Sequence, residues 1–263
     1  MQEKKKKNTT SWENVSSWYN QAVGDHGHYY HEKVILPNFL KWIDPTENNQ
    51  GALLDLACGQ GILSRHLPTT MDYVGIDISP SLLQAAREKN NQKHHMFLVA
   101  DITKPLPITK KDFSFCTSLL ALQNVENPLK ALQNAAKHLS PKGKLLLVIN
   151  HPCFRIPKHS HWGIDETGQI QYRRMDRYKS SIKIPIQLNP SLGLKSLETF
   201  SFHHSLSQWS SWLKQAGFVI EELEEWCSDK LSTGKHANRE DSSRKEFPLF
   251  LAIKAFKFNS KNL

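Results

Sequence analysis

The chain is predicted to fold as an α/β domain around a mostly parallel sheet, and three observations carry that prediction. Three short apolar runs each end in a carboxylate: Leu53-Leu54-Asp55, Tyr73-Val74-Gly75-Ile76-Asp77 and Met96-Phe97-Leu98-Val99-Ala100-Asp101. Helical patterns lie between and after them, and strands that alternate with helices imply parallel pairing. The first run passes straight into Ala57-Cys58-Gly59-Gln60-Gly61, where glycine permits the backbone angles of a tight strand-to-helix turn.

Taken in order, Trp12 to Gln21 and His31 to Ile43 place apolar residues at helical spacing, with Val34, Leu36, Phe39, Leu40 and Ile43 on one face. Pro37 is expected to kink or split the second helix, and Gly24 to Tyr30 forms a turn between the two. Asp44-Pro45 ends the helix, and a polar linker leads into the first strand. A helical pattern over Ile62 to Leu67 follows the glycine loop. Ser79-Pro80 and Asn127-Pro128 each supply a capping residue and a first-turn proline, for helices reaching about Asn90 and Leu139. Ser140-Pro141-Lys142-Gly143 reads as a sharp stop, and Lys144 to Asn150 as a strand buried on both faces. Residues 151–204 show alternating runs at Gln169 to Tyr178, Ile182 to Leu188 and Leu197 to Phe202, which predict an inserted antiparallel lid, because so long a structureless loop is improbable in a compact domain. Ser205 to Ala216 is helical, stopped by Gly217. Phe218 to Trp226 and Phe247 to Phe256 are the closing strands, with Ser228 to Glu246 expected as a mobile loop. The organisation is therefore a disordered basic tail (1–10), a helical cover (11–46), a ligand-binding core (47–150), the lid (151–204) and the rest of the core sheet (205–263).

The 263 residues carry a net charge of +9. Four lysines and one glutamate in residues 1–10 supply +3 of it, so the folded part is only modestly basic. The cluster Tyr172-Arg173-Arg174-Met175-Asp176-Arg177-Tyr178-Lys179 keeps a nucleic-acid or protein partner open, but a solvated amphipathic strand of the lid is the better reading. No apolar run reaches the ~18 residues of a membrane span, and no apolar segment follows the N-terminal lysines as a secretion signal would require. Cys58, Cys116, Cys153 and Cys227 share no ligand spacing. They read as reduced thiols of a cytoplasmic protein, with no metal site.

The chemistry of the strand ends narrows the ligand. Asp55 before the loop suits an amino group or a cation better than a pyrophosphate. Ser64 stands where a dinucleotide fingerprint needs its third glycine. Asp77, 22 positions after Asp55, is placed to accept both hydroxyls of a ribose, and Asp101 to accept from an adenine amino group. That set points to S-adenosylmethionine. With these motifs the chain resembles the class I S-adenosylmethionine-dependent methyltransferases of the small-molecule and quinone-type group. D-L-A-C-G-Q-G resembles the first motif of that family, with Ala57 in place of a glycine. G-I-D-I-S and V-A-D-I resemble its second-strand and adenine-site motifs, and Phe113 to Val125 its fourth-strand segment. The resemblance implies a seven-stranded Rossmann-like sheet. It also implies a cofactor site formed by Asp55, Ala57, Cys58, Gly59, Gly61, Asp77, Ile78, Asp101, Ile102, Ser118, Leu119 and Gln123.

A methyl acceptor would meet the carboxyl ends of strands four and five and the covering segments. His151, directly after the fifth strand, is the candidate general base, since histidine titrates near neutrality. His26 and His28, with His31, Tyr29 and Tyr30, are candidates to line the acceptor pocket. The chain further resembles an uncharacterised bacterial branch of the family through W-Y, G-H-Y-Y-H-E, H-P-C-F-R-I-P, Q-Y-R-R-M-D-R-Y and F-H-H-S-L-S. That resemblance implies Tyr19 and Tyr29 near the cofactor, and His151, Arg155, Tyr178 and His203 around the acceptor. The branch resemblance names no substrate; the resemblance to the wider small-molecule and quinone-type group implies a small-molecule acceptor. An RNA or protein acceptor, or a module that binds S-adenosylmethionine without turnover, are the alternatives.

Overall fold

The computed structural model describes residues 12–43, 51–187, 196 and 198–258. The basic tail and the linker before the first strand lie outside them. Seven strands form the main sheet: β1 (Leu53–Leu56), β2 (Tyr73–Asp77), β3 (His95–Val99), β4 (Phe113–Leu119), β5 (Leu139–Asn150), β10 (Phe218–Trp226) and β11 (Phe250–Lys257). Their order across the sheet is β10-β11-β5-β4-β1-β2-β3. The five strands β1 to β5 pair in parallel, while β11 runs antiparallel to both β5 and β10. This is the expected mixed, mostly parallel sheet, and the chain reverses direction on either side of β1, which opens a crevice at the carboxyl ends of β1 and β4.

Both faces of the sheet are covered, as the continuous apolar run of β5 requires. Leu145, Leu147 and Ile149 pack into one core with Ala131, Leu132 and Ala135 of α4 (Pro128–His138) and Trp209 and Leu213 of α5 (Leu206–Gln215). Leu146 and Val148 point the other way, into a core with Leu83 and Ala86 of α3 (Pro80–Glu88) and Ile35 and Phe39 of the N-terminal segment. Each leucine, isoleucine, valine or phenylalanine fully buried there contributes about 1.5–3 kcal/mol. Ser79 caps α3 by accepting from Leu82 N at 3.2 Å, and Asn127 caps α4 by accepting from Lys130 N at 3.3 Å. Pro80 and Pro128 sit in the first turns, where a missing N–H costs nothing.

The N-terminal cover contains α1 (Ser16–Val23), a π-helical turn His31–Ile35, the short α2 (Leu36–Phe39) and a 3-10 turn Leu40–Trp42. Pro37 does not interrupt the predicted helix: the backbone stays helical from His31 to Trp42, and the hydrogen-bonding pattern changes from π to α just before the proline, which sits in the first turn of α2. Glu13 ties the cover to the core, accepting hydrogen bonds from the Ser79 hydroxyl and, at 2.6 Å, from the Ser81 hydroxyl at the start of α3. Between β5 and α5 lie two small antiparallel sheets, β6 (Ser160–Ile164) with β7 (Gln171–Met175) and β8 (Ile182–Gln187) with β9 (Glu198–His203). They form the β-rich insertion.

Three further local expectations are corrected. Ile62 to Leu67 contains only a 3-10 turn, Ser64–His66. Its side chains turn back to bond the carbonyls of the glycine loop: Ser64 Oγ donates to Gly61 O at 2.7 Å and Arg65 Nη1 to Gln60 O at 2.6 Å. The supposed stop at 140–143 lies inside β5, with a register shift opposite Phe113 and Phe115. Ser228 to Glu246 ends in a helix, α6 (Ala237–Glu246). It lacks an apolar stripe, and Arg244 supports it with ion pairs to Asp241 at 2.9 Å and Glu240 at 3.5 Å.

Candidate active site

A cavity of about 940 Å³ opens at the carboxyl ends of the parallel strands, within the size range of sites that hold a small molecule. Asp77 at the end of β2, Asp101 beyond β3, Leu119 at the end of β4 and Asn150 at the end of β5 line it. Trp12, Tyr19 and His31 of the N-terminal cover form one wall, and Arg155, Ser160, Arg173, Ile186 and Ser201 of the insertion form another.

The glycine loop is held in shape by Asp77. Gly59 N donates to Asp77 Oδ2 and Ser79 N to Asp77 Oδ1, both at 2.9 Å. A carboxylate has roughly four acceptor positions, so Asp77 is not exhausted by these bonds. Gly59 has a φ of +55°, and Ala57 takes a φ of 58° without being glycine, a left-handed conformation that costs an L-residue about 1–2 kcal/mol. Leu120, across the cavity beyond β4, has a φ of 51°. Two strained residues thus frame the site. Tyr19 packs beside Gly59, and burial, with the nearby charge of Asp77, pushes its phenol up to about 12.

Asp55 is 3% exposed and sits among hydroxyls. It accepts from Tyr73 Oη at 2.8 Å and Thr117 Oγ1 at 2.9 Å. Gly75 makes this possible: a Cβ there would lie 2.9 Å from the Tyr73 ring and hydroxyl and 2.8 Å from Cys58 Sγ. Burial pushes the Asp55 carboxyl up to about 7. At Asp101, burial also raises the carboxyl, but hydrogen bonds from Thr103 and the charge of Lys104 outweigh it and hold it below the usual value.

Of the residues expected from sequence, the cavity brings together Tyr19, Asp55, Ala57, Cys58, Gly59, Asp77, Ile78, Asp101, Ile102, Leu119, Gln123 and Arg155. Gly61 is wedged beneath the loop instead, where a Cβ would meet Ser64, Phe97 and Ala86 at 3.0–3.2 Å. Ser118 lies behind the wall and donates to Leu56 O at 2.9 Å. Tyr29 is an outer residue under the Lys230 ammonium, 4.6 Å from its ring centre. His26 and His28 are exposed and off the cavity. Tyr178 and His203 brace each other outside it: His203 Nε2 meets Tyr178 O at 2.7 Å, and Tyr178 Oη accepts from Leu206 N at 3.1 Å.

His151 also falls outside the cavity wall, which corrects its placement as a base. Its side chain is 2% exposed, with Nε2 at 2.6 Å from Glu225 Oε1 on β10. Nδ1 accepts from Cys153 N at 3.1 Å, and the ring stacks on Phe154. Both nitrogens are committed, so neither is left for a substrate proton. Position after β5 fixed where the backbone went but not which way the imidazole turned.

Two cavity residues were under-read. His31 is the histidine of its cluster that reaches the wall. Its Nδ1 accepts from His28 N at 3.3 Å, and burial, with His28 nearby, lowers it to about 4. It is a neutral imidazole with its proton on Nε2. Arg173, read as part of a solvated strand, faces inward, and only the alternation along β7 hints at that.

Comparison with known proteins agrees with this geometry. A profile described as "Methyltransferase domain" matches residues 54–147, the stretch that holds the glycine loop and β1 to β5. The chain is 31% identical over 198 residues to the ubiquinone biosynthesis O-methyltransferase of Coxiella burnetii (strain Dugway 5J108-111), covering 72% of this chain and 82% of that protein. It is also 31% identical over 97 residues to the demethylmenaquinone methyltransferase of Staphylococcus aureus (strain MRSA252), 35% of this chain and 40% of that one. Among solved structures, an S-adenosylmethionine-dependent methyltransferase from Mesorhizobium loti superposes with a TM-score of 0.64 at 25% identity, over 83% of this chain and 95% of that one. Fold, loop and relatives converge: the chain belongs to the class I S-adenosylmethionine-dependent methyltransferases.

Proposed function

We propose that the protein transfers a methyl group to a small-molecule acceptor bound under the insertion. The observation that carries this reading is the division of the cavity. Hydrogen-bond acceptors (Asp55, Asp77, Asp101) cluster over β1 to β3, while the insertion lines the other end of the same cavity. The acceptors suit the donors of S-adenosylmethionine, which presents an ammonium group, two ribose hydroxyls and an adenine amine. Gln123 adds to the fit, because its Oε1 is buried on the cavity wall and has no partner among the described residues.

In this reading Asp77 holds the ribose, Asp101 and Ile102 the adenine, and Asp55 the neighbourhood of the ammonium. Gly59, Ala57 and Cys58 shape the floor, Leu119 and Gln123 flank the methionine end, Ile78 borders the ribose, and Tyr19 closes the loop side. When bound, S-adenosylmethionine supplies an activated methyl carbon. The chain contributes orientation and exclusion of water: a nucleophile held in line near attack distance is worth about 7–11 kcal/mol. His31, neutral with Nε2–H, is suited to donate a hydrogen bond to an acceptor oxygen rather than to remove its proton.

Relatives named for ubiquinone and menaquinone methylation support a small acceptor. An RNA acceptor is less well supported: Arg173 of the basic cluster turns into the cavity and Arg174 pairs with Asp176 at 3.1 Å. The reading includes a cytoplasmic setting, supported by four free cysteines. Among the described residues no helix is long and apolar enough to cross a membrane.

Calorimetric titration with S-adenosylmethionine and S-adenosylhomocysteine, followed by transfer of a labelled methyl group to a panel of phenols, hydroquinones, amines and RNA, tests the proposal. Micromolar binding with label on a small molecule is expected; label on RNA alone would overturn it. His151→Ala should cost about 2 kcal/mol of stability through the lost bond to Glu225, read by urea unfolding. Affinity for S-adenosylhomocysteine and turnover per folded molecule should hold. Turnover lost at unchanged stability would restore His151 as the base.

A further inference from the structure

The insertion end of the cavity contains two guanidinium groups, and among the described residues no carboxylate pairs with either; Glu126, the acid lining the cavity beyond β4, makes no ion pair with them. Arg155 lies over the Phe250 ring, 5.0 Å from its centre, and its Nη1 is buried with no hydrogen-bond partner among the described residues. Arg173, close enough to disfavour the charge on Arg155, stacks on Trp162 at 4.9 Å. It is locked in place by donating from Nε to Phe154 O at 2.9 Å and from Nη2 to Ser160 Oγ at 2.8 Å. Among the described residues neither arginine has an acidic partner, whereas the adjacent Arg174, on the opposite face of the β6–β7 hairpin, has Asp176. Both inward arginines line the cavity.

Holding two like charges side by side in a partly buried site without counter-charge is costly. Planar guanidinium groups with free N–H donors match the paired oxygens of a carboxylate or a phosphate. We propose that the methyl acceptor carries an oxyanion, a carboxylate or a phosphate, and that Arg155 and Arg173 receive it at the insertion end of the cavity. This rests on the reading of the protein as a small-molecule methyltransferase.

The position of the pair separates it from the cofactor's own carboxylate. Arg155 lies on the ring of Phe250 of β11, three strands from β1 in the sheet, and at 4.7–4.9 Å per strand the axes of β11 and β1 are roughly 14 Å apart. The cofactor acceptors Asp55, Asp77 and Asp101 all lie on the β1 to β3 side. An acceptor anchored on Arg155 therefore extends from β11 towards β4, with its reacting atom at the end nearer the loop. Ile156, Pro157 and Ile186 supply apolar surface at the insertion end, so the oxyanion sits on a body with an apolar face.

The test uses the full-length protein saturated with S-adenosylhomocysteine and three probes of one shape: benzoate, phenyl phosphate and the neutral benzamide. Saturable calorimetric binding of at least one anion, with benzamide at least about tenfold weaker, is expected. Whichever anion binds more tightly identifies the group. Arg155→Met should weaken the anion about tenfold or more and leave S-adenosylhomocysteine affinity within about twofold. Arg155→Lys, which keeps the charge but not the planar fork, should fall between. Because Arg155→Met removes an unpaired buried charge, its melting temperature should hold or rise. Equal binding of benzamide, no saturable binding of either anion, or a melting temperature that falls sharply in both variants overturns the proposal. So does an about tenfold loss of S-adenosylhomocysteine affinity in Arg155→Met, which would assign Arg155 to the cofactor's carboxylate. Failure of the wild-type protein to bind S-adenosylhomocysteine would instead remove the reading beneath it.

Discussion

Asp77→Ala should raise the dissociation constant for S-adenosylhomocysteine by about two to four orders of magnitude. Two hydroxyl donors to an ionised carboxylate are each worth about 1.5–3 kcal/mol, and 1.4 kcal/mol is tenfold in affinity. The range stays wide because the substitution has a second effect. Asp77 is already the acceptor for Gly59 N and Ser79 N, so alanine also releases the glycine loop and the entry to α3. Stability should therefore fall together with affinity. Calorimetry gives the affinity, and urea unfolding of the cofactor-free variant gives the stability. A variant that unfolds more easily yet binds S-adenosylhomocysteine as tightly as wild type would remove Asp77 from the cofactor site and leave it only as the loop's anchor.

That double role explains which parts of this protein could be read from its sequence. Strand ends, the glycine loop and the capped starts of α3 and α4 are local events, written in adjacent residues. Ser79-Pro80 and Asn127-Pro128 behave as their chemistry dictates, and the alternation of strands and helices leads to the parallel sheet. Side-chain direction is not local. His151 leaves β5 beside the cavity, but Glu225, 74 residues away in sequence, draws its imidazole towards β10. Arg155 and Arg173 come together only because the β6–β7 hairpin folds back over residues 154–160. Helix α6 was missed for another reason. Its residues are polar all round, so the 3.6-residue periodicity that announces most helices is absent. What holds it is charge pairing along its own surface, which hydrophobic patterning cannot show.

Asp55→Asn should stabilise the protein relative to wild type by an amount that grows with pH. Wild-type Asp55 has its carboxyl pushed up to about 7 by burial, despite hydrogen bonds from Tyr73 and Thr117, and the charge of Asp77 adds to the rise. The buried Tyr73 phenol and Cys58 thiol are held well above their ordinary values, burial first and the charge of Asp55 second, so both stay neutral and add no further negative charge. An unfolded aspartate titrates near about 3.9. Below about pH 4 the group is neutral in both states and contributes no difference. Between about pH 4 and 7 the unfolded chain ionises while the folded one does not, so folding loses about 1.4 kcal/mol per pH unit at this site. Above about pH 7 the loss levels off near 4 kcal/mol. Asparagine does not titrate, so unfolding free energies of variant and wild type, subtracted at each pH, should trace that curve whatever constant offset the amide brings. A difference flat from pH 4 to 8 would mean that the two hydroxyls hold Asp55 ionised at an ordinary pKa. The same shift bears on the proposed site. An ammonium group settling near Asp55 favours its ionised form, and linkage requires the converse. S-adenosylhomocysteine should bind the wild-type protein more tightly above about pH 7 than below it, and Asp55→Asn should lose that dependence.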